Sequence, residues 1–204
     1  MDEKSTTRSE ASPYNDLSNE GQALVLSGGG ARAAYQVGCL RALARSMPDY
    51  RPQILTGVSA GAINATHLAA FQGSWQQSVE ALVGLWQAMR TEKVYRTGLG
   101  QLAGRMAHWG LHLVSGGRLG REDIRGMVNN EPLRRYLREH LFVHTGTGDI
   151  PGIDRNLADG WLKALAVVTT NYASGRSEAW VDTLQEQIWS GSQVTARLAS
   201  LTLE

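Results

Sequence analysis

Two short apolar runs each break into a glycine-rich turn and then a helical pattern, and this repetition constrains the fold more than any other feature of the 204 residues. Ala23-Leu24-Val25-Leu26 leads into Ser27-Gly28-Gly29-Gly30-Ala31-Arg32, after which Ala34, Val37, Leu40 and Leu43 recur at helical spacing. Ile54-Leu55-Thr56 leads into Gly57-Val58-Ser59-Ala60-Gly61, followed by a helix from Ala60 to about Phe71 that closes at Gly73. Consecutive strand, turn and helix units imply parallel strands whose carboxyl ends share one edge. Both turns then lie on that edge, where open α/β sheets bind ligands.

A serine hydroxyl is a weak nucleophile unless it is held clear of the backbone, and G-x-S-x-G achieves this by removing Cβ atoms on both sides of a sharp turn. Ser59 is therefore the candidate nucleophile. The helix after it aims free N–H groups at the turn, where negative charge develops during acyl transfer. The Gly28 to Gly30 loop likewise exposes backbone N–H groups suited to an anion or oxyanion. Gly28, Gly30 and Ala33 also satisfy the dinucleotide pattern G-x-G-x-x-G/A, which further needs an acidic residue at the end of the second strand, about 20 residues on. Asp49 has that separation but precedes the strand, which runs into Thr56-Gly57, so nucleotide binding is set aside. No G-x-x-x-x-G-K-[ST] loop occurs either.

The segment Ser27-Gly28-Gly29-Gly30-Ala31-Arg32-Ala33-Ala34-Tyr35-Gln36-Val37-Gly38, followed by Gly57-Val58-Ser59-Ala60-Gly61-Ala62-Ile63-Asn64, resembles the bacterial patatin-like phospholipases. The resemblance implies an α/β fold, a parallel-sheet three-layer α/β/α sandwich. It also implies a serine lipid acyl hydrolase of phospholipase A or lysophospholipase type, acting on a lipid or phospholipid ester without metal or organic cofactor. Ser59 takes the place of the family's nucleophile, and Gly28, Gly29, Gly30 and Arg32 that of its oxyanion hole. Where many members have glycine after the arginine, this chain has Ala33. The match extends more loosely over residues 22 to 204, with Leu165 to Gly175 resembling a strand and turn of the family.

Elsewhere the chain reads as one domain, residues 21–204, behind a polar flexible tail, residues 1–20. A hydrophobic content of 42% suffices for one sizeable core. The single cysteine, Cys39, reads as a buried, inert thiol in a reducing compartment. No secretory signal is visible and no apolar run reaches the ~18 residues of a membrane span, so the expected location is cytoplasmic, at most peripheral to a membrane. A net charge of +1 says nothing about partners, and no nucleic-acid partner is expected. Ser74 to Arg90 reads as a core helix with Trp75, Val79, Leu82, Val83, Trp86 and Met89 on one face. Arg90 to Glu139 holds ten Arg or Lys against five Asp or Glu, interleaved with Leu99, Leu102, Met106, Trp109 and Leu113. That pattern suits a solvated helix face over the core, or an amphipathic face meeting an anionic membrane. Glu131-Pro132-Leu133 opens a helix. The pairs His108/His112 and His140/His144 have i, i+4 spacing but no third ligand, so no metal site is expected. Thr145 to Asn156 reads as a loop, and Ala164 to Thr170 with Glu178 to Val181 as a hairpin.

An activated serine needs a base within hydrogen-bond reach. The resemblance implies a Ser-Asp dyad, with the aspartate in an Asp-Gly pair downstream of an Ala-Ser-x-Ala-x-Pro segment that follows the hairpin. The sequence stops at Leu203-Glu204, where that segment should begin. Asp159-Gly160 is an Asp-Gly pair but precedes the strand at Ala164. The expectation is an N-terminal portion of a longer domain, incomplete at its C-terminus, keeping nucleophile and oxyanion hole while lacking the base and hydrolysing esters weakly or not at all. Two other readings stand beside it. One is a catalytically inactive lipid-binding or interaction module. The other is a histidine-using α/β-hydrolase esterase, which needs a histidine late in the chain, whereas His144 is the last of five.

Overall fold

Alternation of inward and outward side chains along three short strands organises the molecule. The computed structural model describes residues 21–89, 131–141, 147–171, 174–185 and 194–203. The expected tail, the basic segment from 90 to 130, and His108, His112 and His144 lie outside these residues. Strands β1 (Ala23–Leu26), β2 (Ile54–Val58), β3 (Ala164–Asn171), β4 (Arg176–Asp182) and β5 (Val194–Leu198) form one sheet in sequential order. β1, β2 and β3 are mutually parallel, β3 and β4 form the antiparallel hairpin, and β5 runs parallel to β4. The helices are α1 (Ala33–Ser46), α2 (Ala60–Ala70), α3 (Trp75–Ala88), α4 (Glu131–His140) and α5 (Pro151–Ala158). The α/β architecture expected from the two turn-bearing units is the one the chain adopts, with a mixed rather than all-parallel sheet.

Crossovers between parallel strands are right-handed, so two successive steps in one direction put their helices on the same face. Leu26, Leu55 and Leu165 point to that face and share one core with Val37, Leu40 and Ala44 of α1, Leu68 of α2, Val79 and Leu82 of α3, and Ile153 and Leu157 of α5. The register places Val25, Thr56, Ala166, Val181 and Leu198 in a row on the other face. There Val25 is 72% exposed among the described residues.

Several local expectations change. In α1 the buried positions are Ala33, Val37, Leu40 and Ala44 rather than the stripe begun at Ala34, and Cys39 falls between them on the solvent side, exposed. Thr145 to Asn156 is not all loop: Pro151 occupies the first helical turn of α5, where its missing N–H costs nothing, and Ile153 and Leu157 bury its inner face. α5 braces the far end of α2, where the buried Asn156 amide donates to Ala69 O (2.6 Å) and Phe71 O (3.2 Å), two of the carbonyls a helix end leaves unpaired. α3 begins at a Ser74/Gln77 capping box. No described helix is long and apolar enough to cross a membrane.

Candidate active site

Parallel pairing of β1 with β2 sets Leu26 opposite Gly57, so the two glycine-rich turns leave adjacent strands side by side. Ser59 sits between β2 and α2 at φ 53°, ψ −122°, and is the one non-glycine residue with positive φ among the described residues. Such a conformation costs on the order of 1–3 kcal/mol and persists only where the surroundings enforce it. The flanking glycines are the enforcement. A Cβ on Gly57 would lie 2.5 Å from Ala62 Cα, and one on Gly61 would lie 2.5 Å from Ser27 O. The N-terminus of α2 therefore passes across the end of β1 with no room for a side chain.

Gly28 lies against the serine: a Cβ there would be 3.3 Å from Ser59 Cβ and 3.4 Å from Val58 O. The chain then turns through Gly30 at φ 56° into a short 3-10 turn, Gly30–Arg32. Within that turn Arg32 N–H is taken by Gly29 O (3.2 Å) and Ala33 N–H by Gly30 O. Among the described residues the N–H groups of Gly28, Gly29 and Gly30 enter no backbone hydrogen bond of this turn. On the serine side, Ala62 N–H donates to Ser59 O (2.9 Å), which leaves the Ala60 and Gly61 N–H groups at the helix terminus. Ser59 is exposed, as are Gly28, Gly30 and Arg32. The sequence-derived residues Ser59, Gly28, Gly29, Gly30 and Arg32 thus converge on one sheet edge. Ala60, directly after the serine, opens α2 at the same edge.

The carboxylates are distributed otherwise. Asp159 ends α5, just before β3, at the opposite end of the parallel strands. Asp182 pairs with Leu165, three residues below the Val58–Val168 pair, which is roughly 10 Å along the strand. It is buried, and burial pushes its carboxyl above the usual range, aided by Asp154 and opposed by the Leu201 N–H bond (2.9 Å). Glu178 is the described carboxylate that the register brings level with Ser59, opposite Thr169. It stands two strands from β2, about 10 Å away, and its Oε1 accepts from Asn171 Nδ2 (3.1 Å) and Arg197 Nη2 (3.4 Å). Among the described residues no group of three or more His, Cys, Asp or Glu could hold a metal ion.

A family model described as patatin-like phospholipase matches residues 24–197. Two similar solved structures are of ExoU. One is full-length ExoU in complex with full-length SpcU from the type III secretion system of Pseudomonas aeruginosa, 24% identical over 79% of this chain and 34% of that chain, with a TM-score of 0.35. The other is the type III effector protein ExoU, 20% identical over 79% of this chain and 35% of that chain, with a TM-score of 0.36. The chain spans about a third of the length of these solved chains. No curated protein matches it.

Proposed function

The chain belongs to the patatin-like phospholipase family, and from that premise we propose that it works as a serine lipid acyl hydrolase, cleaving a carboxylic ester of a lipid or phospholipid from the cytoplasm at the membrane surface. One observation carries the proposal: Gly28 lies against a Ser59 held at φ 53°. A serine so displayed, beside a loop of glycine N–H groups, suits acyl transfer better than any binding role that ignores the strain. Ser59 Oγ attacks the acyl carbonyl carbon. The oxyanion that forms accepts hydrogen bonds from the Gly28 to Gly30 loop and from Ala60 N–H, with Arg32 adding positive charge nearby. Each such donor contributes about 2.7–4 kcal/mol at the transition state. Collapse expels the alcohol, leaving an acyl-serine that water then hydrolyses. We assign the serine proton to an aspartate of a Ser-Asp dyad, the partner the family resemblance implies, and not to Asp159, Asp182 or Glu178, which the strand register keeps away from Ser59.

In a form of the protein that carries the dyad aspartate, the expected result is turnover of p-nitrophenyl esters and of phospholipid vesicles that falls at least about 10³-fold in Ser59→Ala. Equal turnover by the variant would sink the nucleophile assignment. The position of Asp159 and Asp182 at the far end of the strands favours a second reading, a lipid-binding module without turnover. That same form binding vesicles and releasing no fatty acid supports that reading.

A further inference from the structure

A loop made of three successive glycines has no side chains with which to hold its own shape, and glycine loses more conformational freedom on ordering than any other residue. Its N–H groups must nonetheless be fixed in direction before they can stabilise an oxyanion. The residue that reaches it is Gln36, on the first turns of α1. Gln36 Nε2 donates to Ser27 O (2.8 Å) and to Ser27 Oγ (3.1 Å), closing the loop from its first residue to the helix that follows it. Gln36 Oε1 accepts from Asn64 Nδ2 (3.3 Å), which also donates to Ala33 O (3.4 Å). Asn64 is fully buried on α2, five residues after Ser59, and its Oδ1 accepts from Trp86 Nε1 of α3 (2.7 Å).

The chemistry of this chain of bonds is directional. An indole N–H can only donate, so Trp86 requires an oxygen from Asn64 and turns the Asn64 amide nitrogen toward α1. That nitrogen in turn requires an oxygen from Gln36, which turns the Gln36 amide nitrogen toward Ser27. One obligate donor on α3 thereby sets the orientation of two amides that, on their own, could flip. The consequence is a fixed donor at the root of the glycine loop, tied to the same helix that carries the nucleophile.

We propose that Gln36 and Asn64 are positioning residues for the acyl-transfer site, with the Trp86–Asn64–Gln36–Ser27 relay holding the Gly28 to Gly30 donors in register with Ser59. The inference rests on reading Ser59 as the nucleophile. Its test uses Gln36→Met, which keeps the side-chain length and removes the amide donor and acceptor at a half-buried position, and Trp86→Phe, which keeps an aromatic ring and removes the N–H. The first measurement is labelling of the protein by a fluorophosphonate probe, resolved into the probe's apparent binding constant and the rate of bond formation. Both variants are expected to slow bond formation roughly 10- to 100-fold, the size of a small misplacement of reacting groups, with the binding constant within about twofold. The second measurement is hydrogen exchange over the peptide covering residues 24–36, expected to quicken about 10-fold or more in Gln36→Met while exchange in β3 and β4 is unchanged. Glu80→Gln, which breaks the exposed Arg41–Glu80 pair (2.7 Å) between α1 and α3, is the control for general loosening and should alter neither. Unchanged exchange in Gln36→Met overturns the inference whatever the labelling shows. Faster exchange with wild-type labelling also overturns it, since the relay would then hold the loop without positioning it. Wild-type labelling no faster than in Ser59→Ala removes the reading of Ser59 itself, and the inference falls with it.

Discussion

Gly61→Ala is expected to destabilise the protein by about 3 kcal/mol or more, although it adds a single methyl group. The new Cβ would sit 2.5 Å from Ser27 O and 2.6 Å from Leu26 C, both backbone atoms at the end of β1, with no flexible side chain to give way. Relief requires α2 to lift from β1, which would also carry Ser59 away from Gly28. In a chain of this length each kcal/mol moves the melting temperature by about 2–4 °C, so a fall of roughly 6–12 °C is expected in a thermal melt. Gly38→Ala makes the same chemical change inside α1, where nothing lies within 4 Å of the added atom. It should raise stability by roughly 0.5–1 kcal/mol by removing a helix-interior glycine. If both variants melt together with the wild type, the close passage of α2 over β1 is wrong.

The second large effect is a loss of stability in mild acid, centred on His67. This side chain is 3% exposed on α2, beside Phe71, and neither ring nitrogen has a hydrogen-bond partner among the described residues. Burial pushes its pKa down to about 4; the Ser78 backbone, close to the ring but not aligned for a full hydrogen bond, opposes the shift, and His140 adds to it by like-charge repulsion. An unfolded chain would take up the proton at the ordinary value near 6.5. The contribution of His67 to stability is therefore whole above about pH 6.5 and is lost as the pH falls from there toward 4. At 1.36 kcal/mol per pKa unit the full loss is roughly 3 kcal/mol. Asp182 works in the opposite direction, because its raised carboxyl makes the folded state the better proton acceptor. Urea midpoints at pH 7.5 and 4.5 separate the two: His67→Leu should lose most of the wild-type decline. A variant that declines as steeply as the wild type would mean that His67 is charged, or solvated, in the folded protein.

The parts of this fold that were legible in the sequence are those that local backbone chemistry dictates. Gly57, Ser59 and Gly61 announce a strained turn because no other residues tolerate it, and the Gly28 to Gly30 loop announces exposed N–H groups for the same reason. Their meeting on one edge follows from the parallel pairing of β1 with β2, which puts the carboxyl ends of both strands together. What was not legible depends on packing at a distance. The α5 segment reads as a loop because Gly148, Asp149 and Pro151 are turn formers, and it becomes helical through the burial of Ile153 and Leu157 against α2. Cys39 reads as buried by type, yet a shift of the α1 core stripe to Ala33, Val37, Leu40 and Ala44 leaves it in solvent. Asn64, a polar residue in a small apolar helix, gives no sign that Gln36 and Trp86 will close around it. The edge strand β5 leaves only the weak alternation of Val194, Ala196 and Leu198. The separation of Asp159 from Ser59 was visible from order along the chain, and the placement of Asp159 at the end of α5 gives the physical distance behind it.

The most direct test of Ser59 as an acyl-transfer nucleophile beside a backbone oxyanion site is fluorophosphonate labelling followed by peptide mass spectrometry. The expected result is a single phosphonyl adduct on the peptide containing Ser59, absent in Ser59→Ala and weakened when Gly28 is changed to alanine, whose methyl would crowd Ser59 Cβ at 3.3 Å. An adduct that persists in Ser59→Ala, or none on a form that carries the dyad aspartate under conditions that label other serine hydrolases, would contradict it.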